Sequence, residues 1–99
     1  WHRVAAKGDV APEEPIRVQV GEEDIAIYNV DGGFHATSNI CTHAYASMVD
    51  GFQEGEEIEC PLHEGRFNIK TGEALCAPVF DALKVFEVKL DGDDILVKV

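Results

Sequence analysis

Hydrophobic and polar residues alternate with a period of two along most of this chain, and no ten consecutive residues show the 3.6-residue period of a helix. The alternation is clearest in residues 16–20 and 83–90. Runs of this kind predict β-strands with one buried face. The predicted strands are residues 1–5, 16–20, 25–30, 34–38, 57–60, 83–90 and 95–99, with one helical turn at 78–82.

Short turns rich in glycine and aspartate separate the predicted strands, most clearly at Asp31-Gly32-Gly33 and Asp91-Gly92-Asp93. Because glycine reaches positive φ without steric cost, such turns join neighbouring antiparallel strands into hairpins. This arrangement predicts an all-β fold, a small antiparallel sandwich or barrel. A chain of 99 residues is the length of a single domain, residues 1–99.

The chain carries 19 acidic residues against 8 basic ones, which gives a net charge of −11. This balance argues against nucleic-acid binding, which needs a basic surface, and against anionic membrane surfaces. No apolar run reaches the roughly 18 residues of a membrane-spanning helix. The negative charge favours solubility and attraction to partners with positively charged docking faces.

Two short blocks, separated by sixteen residues, carry the candidate chemistry: Cys41-Thr42-His43 and Cys60-Pro61-Leu62-His63. The chain has 3 cysteines, an odd number that does not suggest a disulfide framework and favours a reducing compartment. Two cysteines and two histidines fit a zinc ion or an iron–sulfur centre. Each block mixes one cysteine with one histidine, and this pairing favours two cysteines on one metal and two histidines on an adjacent one. A structural zinc site remains the alternative.

These blocks and their flanks, Asn39-Ile40-Cys41-Thr42-His43 and Glu59-Cys60-Pro61-Leu62-His63-Glu64-Gly65-Arg66-Phe67, resemble the Rieske [2Fe–2S] ferredoxins of bacterial ring-hydroxylating dioxygenase systems. The resemblance implies the Rieske fold. In that fold an antiparallel β base carries an inserted cluster-binding subdomain with two ligand loops, here at about residues 39–69. It also implies one [2Fe–2S] cluster per chain, and its ligands are Cys41, His43, Cys60 and His63.

The resemblance further implies a soluble electron carrier, not an enzyme, that is monomeric and lies in the bacterial cytoplasm. It would accept one electron from a flavin-containing ferredoxin reductase and pass it to a terminal Rieske oxygenase. Tyr45 and Leu62, beside the ligands, are expected to form the docking surface, and Pro78 resembles the proline of the loop that covers the cluster. The alternative within the family is the Rieske subunit of another oxidoreductase, such as the small subunit of a nitrite reductase.

Three residues that are not ligands bear on the reduction potential. High-potential Rieske proteins carry an extra cysteine in each loop, and the corresponding positions here resemble Ala46 and Leu62. The hydroxyl residue that often follows the second histidine by two positions is replaced by Gly65. Fewer donors to the cluster predict a potential at the low end of the Rieske range, about −150 mV. Two other residues are expected to be structural: Cys76 as a small buried residue and His35 as a surface residue.

Overall fold

A computed structural model describes the chain over residues 1–42, 46–62, 65–76 and 81–99. Within these ranges the fold consists of β-strands and two short 3-10 turns, Lys7–Asp9 and Met48–Asp50, without an α-helix. The strands are β1 (His2–Ala6), β2 (Ile16–Val20), β3 (Glu23–Val30), β4 (Gly33–Ser38), β5 (Phe52–Glu54), β6 (Glu57–Glu59), β7 (Arg66–Asn68), β8 (Val85–Asp91) and β9 (Asp94–Lys98). The predicted all-β fold is confirmed. In this part of the chain no helix is long and apolar enough to cross a membrane.

Six of the strands form one barrel-like antiparallel sheet, in the order β1-β9-β8-β4-β3-β2. Its hairpins are the predicted ones. Val30 pairs with Gly33 across a two-residue turn in which Asp31 and Gly32 have φ of 52° and 85°. Positive φ at both central residues matches the right-handed twist of the flanking strands, and Asp-Gly tolerates it. This sheet forms the base of the molecule.

The remaining strands form a second, three-stranded sheet in the order β5-β6-β7, inserted in the sequence between β4 and β8. Its buried face carries Gln53, Ile58 and Phe67, which are paired across the strands. The Nε2 atom of Gln53 donates to the carbonyl of Asn29 in β3 at 2.9 Å and to the carbonyl of Gly55 at 3.1 Å. This side chain therefore ties the small sheet to the base.

Two groups of buried apolar residues form the core. The first lies between the base and the small sheet and includes Met48 and Phe67 together with both cysteines of the predicted site. The second lines the base itself. Tyr28 of the first group forms a buried hydrogen bond with Thr37, with 2.8 Å between their hydroxyl oxygens, and burial raises the pKa of Tyr28. The candidate site is thus part of the main core and not a surface appendage.

The differences from the predicted elements are local. Strands β5 and β7 have only three residues each, too few to show alternation, and neither was predicted. The predicted strand at 57–60 ends at Glu59, although the N–H of Cys60 still bonds to the carbonyl of Gly65 in register with the pairing of β6 and β7. The predicted strand at 83–90 begins at Val85. Most of the predicted helical turn at 78–82 lies outside the described residues.

Candidate metal centre

The two predicted ligand loops begin in the same way. The N–H of Cys41 donates to the carbonyl of Ala46 at 2.9 Å, and the N–H of Cys60 donates to the carbonyl of Gly65 at 2.7 Å. In both loops the bond joins residues five apart, so each cysteine opens a four-residue loop that its own backbone closes. The same backbone hydrogen bond therefore closes both loops, although their sequences differ.

The two cysteine side chains meet inside the core. Cys41 and Cys60 are only 5% and 1% exposed, and both belong to the same buried cluster. Burial, reinforced by the neighbouring Cys41 thiol, raises the pKa of Cys60 to about 11. The Cys60 thiol is therefore expected to hold its proton in the metal-free chain near neutral pH, and binding of a metal must release it.

Asn39, fully buried, organises the first loop. Its Oδ1 accepts from the N–H of Val49 at 3.1 Å, and its Nδ2 donates to the hydroxyl of Ser47 at 2.8 Å. Its backbone carbonyl accepts from the N–H of Met48 at 2.6 Å, and its N–H donates to the carbonyl of Asp24 in β3 of the base. One asparagine therefore fastens the return of the first loop to the base.

A third segment lies against the first loop. The hydroxyl of Thr42, inside the first block, donates to the carbonyl of Asp81 at 2.8 Å. Two residues further on, the N–H of buried Leu83 donates to the carbonyl of Gly72 at 2.8 Å. The first loop is thereby linked to the segment that leads into β8.

Comparison with known proteins places this arrangement in a family. Residues 1–87 match the model of the Rieske [2Fe–2S] domain. The ferredoxin component of the naphthalene 1,2-dioxygenase/salicylate 5-hydroxylase systems of Ralstonia sp is 44% identical over 98 residues, which cover 99% of this chain and 94% of that protein. The chain belongs to the Rieske [2Fe–2S] ferredoxins.

Solved structures agree with this membership. The ferredoxin of Sphingomonas yanoikuyae B1 superposes with a TM-score of 0.95 at 35% identity, covering 99% of this chain and 97% of that one. This chain also matches a chain of the complex of reduced oxygenase and oxidised ferredoxin in carbazole 1,9a-dioxygenase, with a TM-score of 0.93 and 39% identity. That match covers 98% of this chain and 100% of the other.

The described part of this Rieske ferredoxin fits a [2Fe–2S] cluster. Two neighbouring thiols of one buried cluster can bind the same iron ion once they have lost their protons. The buried residues around them are apolar, so the thiols are shielded from water on their inner side. Cys41 and Cys60 thus lie in one buried cluster. His43, Tyr45, His63 and Pro78 lie outside the described residues.

The surface of the ferredoxin near the second loop is apolar and acidic. Leu62 is 49% exposed, and Phe52, on the edge strand β5, is 59% exposed. Arg66 forms ion pairs with Glu57 at 3.4 Å and with Glu59 at 3.3 Å. Ion pairs that are this accessible to solvent add little stability, so their main effect is on the surface charge presented to a binding partner.

Two expectations for residues outside the ligand blocks need correction. Cys76 was expected to be buried, and this is wrong, because the side chain is exposed. It follows Leu75, whose N–H bonds to Arg66 at the edge of the small sheet, so the chain is leaving the sheet at the surface. His35 was expected at the surface but is half-buried on β4, and burial lowers its pKa.

Sequence reasoning missed Asn39, Thr42 and Gln53 as supports of the site. Asn39 and Thr42 stand beside and within the first block, and a hydrogen-bonding side chain next to a candidate ligand is the sequence signal that could have drawn attention to them. Gln53 carries no such signal, because its partner in β3 is 24 residues away in the sequence.

Proposed function

We propose that this Rieske ferredoxin is a soluble one-electron carrier that serves a terminal aromatic-ring-hydroxylating oxygenase. The placement of two buried, neighbouring cysteines in one cluster, each at the start of a loop closed by the same backbone hydrogen bond, carries the proposal. The relatives support it, since they are named as ferredoxin components of dioxygenase systems. The cluster, when bound, supplies the one-electron exchange.

We assign the ligands by the division of the Rieske centre, with one cluster per chain. Cys41 and Cys60 hold one iron, and His43 and His63 hold the other. The same closing hydrogen bond in both loops supports this assignment, since each closed loop contains one histidine two or three positions after its cysteine. The cluster-binding subdomain then comprises about residues 39–69 of the single domain 1–99.

The residues around the thiols suit rapid electron exchange at low potential. A core that is already packed around the cysteines reorganises little when charge is added. The positions that hold bracing cysteines in high-potential relatives are here a buried alanine, Ala46, and an exposed leucine, Leu62. The backbone hydrogen bonds of Cys41 and Cys60 close the loops without such a brace. We therefore place the potential near the low end, at about −150 mV.

The proposed partners are a flavin-containing ferredoxin reductase as electron donor and a terminal Rieske oxygenase as acceptor. The ferredoxin acts as a monomer in the bacterial cytoplasm. Leu62 supports a docking role because it stands exposed beside Cys60, and Tyr45 and Pro78 are proposed for the same surface. The net charge of −11 favours partners with positively charged faces around their own cofactor.

Reconstitution tests this function. Purified ferredoxin is mixed with a candidate reductase, the nicotinamide donor and a terminal oxygenase, and hydroxylation of the aromatic substrate is followed. Product is expected to form only when all three proteins are present, in proportion to limiting ferredoxin. Efficient reduction of the oxygenase without ferredoxin would contradict the role, as would a ferredoxin that supports nitrite reduction instead.

Leu62→Ser is expected to weaken docking while leaving the cluster unchanged. Burial of the exposed half of a leucine contributes about 1 kcal/mol, so the concentration of ferredoxin needed for half-maximal hydroxylation should rise about fivefold. The matched control is Leu90→Ser, because Leu90 is 46% exposed on β8. Equal effects of the two substitutions, or a shifted midpoint potential in Leu62→Ser, would remove Leu62 from the docking surface.

A further inference from the structure

Gly51 lies where the end of the first loop touches the strand that leads into Cys60. Its backbone, with φ of −83° and ψ of −162°, is extended, so any residue could adopt it. A Cβ atom at this position, however, would overlap the carbonyl oxygen of Glu59 and come within 3.1 Å of the carbonyl oxygen of Met48. Glycine is therefore required here by close approach of two backbones and not by the turn.

Residues 46–51, which we call the strap, connect the two cysteines through consecutive contacts. At its start the carbonyl of Ala46 accepts from the N–H of Cys41 at 2.9 Å. In its middle, Asn39 binds the N–H groups of Met48 and Val49. At its end Gly51 touches Glu59, the neighbour of Cys60. Each link is a hydrogen bond or a backbone contact, so the strap spans the distance between the two loops with little freedom.

We propose that Gly51 is a positioning residue that sets the separation of Cys41 and Cys60. This inference rests on the proposed function, because it takes the two cysteines as ligands of one iron. The peptide unit between Glu59 and Cys60 is planar, so displacement of the Glu59 carbonyl displaces the N–H of Cys60 as well. That N–H is already committed to Gly65 at 2.7 Å. An added methyl group at Gly51 must therefore move Cys60 relative to Cys41 or break this bond.

The test compares three alanine substitutions in the cluster-loaded protein. Gly51→Ala introduces the overlap beside Cys60. Gly72→Ala introduces a similar overlap with the carbonyl oxygen of Leu83, which is not adjacent to either cysteine in the sequence, and it also strains a backbone with φ of 78°. Gly8→Ala has open space around the new methyl group and no positive φ. For each protein we would record the thermal midpoint, the g values of the reduced cluster in electron paramagnetic resonance, and the midpoint potential.

Gly8→Ala is expected to match the wild type in all three measurements. Gly51→Ala and Gly72→Ala should both lower the thermal midpoint, by about 4 °C or more. Only Gly51→Ala should also shift the g values beyond the wild-type linewidth and change the midpoint potential. Wild-type g values in Gly51→Ala, or equal shifts in Gly51→Ala and Gly72→Ala, would overturn the inference, because the spectrum would then follow stability alone.

A milder variant keeps the test valid if Gly51→Ala does not fold. Ser47→Ala removes the 2.8 Å bond between Asn39 Nδ2 and the Ser47 hydroxyl, which fastens the same strap, and adds no atoms. Broader lines in the reduced spectrum are expected, and an unchanged spectrum would overturn the inference. A wild-type protein without any rhombic signal would instead contradict the proposed function, so the two failures are distinguishable.

Discussion

A Cys60→Ala variant is expected to purify without iron and without the red-brown colour of the wild type. Cys60 is almost fully buried beside Cys41 in one cluster, so no other described side chain is expected to take its place at the same iron. The energy of metal binding is also folding energy, and its loss should make the variant much easier to unfold. Iron and sulfide analysis and the visible absorption spectrum measure the effect.

Cys76→Ala is the matched control for the cysteine substitution. It removes the same thiol, but from an exposed position, and it leaves both ligand loops intact. We expect full iron content, the wild-type spectrum and a change in the free energy of unfolding within about 0.5 kcal/mol. Retention of a normal cluster by Cys60→Ala, or its loss from Cys76→Ala, would contradict the assignment of the cysteine ligands.

Asn39→Ala should cause the largest loss of stability among substitutions that leave the proposed ligands in place. It deprives the N–H of Val49 and the hydroxyl of Ser47, both on half-buried residues, of their fully buried partner. Leaving a buried polar group unsatisfied costs about 1–3 kcal/mol, so a loss of about 3 kcal/mol is expected. For a chain of this size that corresponds to a fall of about 12 °C or more in the thermal midpoint.

Asn68→Ala controls for the chemistry of the asparagine substitution. Asn68 also caps backbone N–H groups with its side-chain oxygen, at 2.8 Å to Lys70 and 3.1 Å to Thr71, but at an exposed turn where water can replace it. We expect a loss of about 1 kcal/mol or less. If the two asparagine variants unfolded at the same temperature, Asn39 would not be the anchor of the first loop.

The parts of the fold that the sequence predicted are those set by local physical chemistry. The turn at Asp31 and Gly32 needs positive φ at adjacent positions, and few residue pairs permit it. The spacing of the two ligand blocks likewise reflects short-range chelation, which is visible without a structure. Membership of the Rieske family and the all-β fold followed from these signals and are confirmed.

The parts that the sequence did not predict depend on contacts between distant residues. Gly51 is an ordinary turn glycine in the sequence, and only its approach to Glu59 shows why a side chain cannot stand there. Gln53 lies in a strand of three residues, too short for any periodic signal, and its role is to bond across to Asn29. The exposure of Cys76 depends on where the chain leaves the small sheet, which no local pattern encodes.

The most direct test of the central claim is a redox titration followed by electron paramagnetic resonance, combined with metal analysis of the same sample. The account predicts a red-brown protein with two iron ions and two sulfides per chain. It also predicts a rhombic signal that grows on reduction, with a midpoint potential of about −150 mV. A colourless protein that contains zinc would contradict the assignment of the cluster. A midpoint above roughly +100 mV would contradict the low-potential carrier.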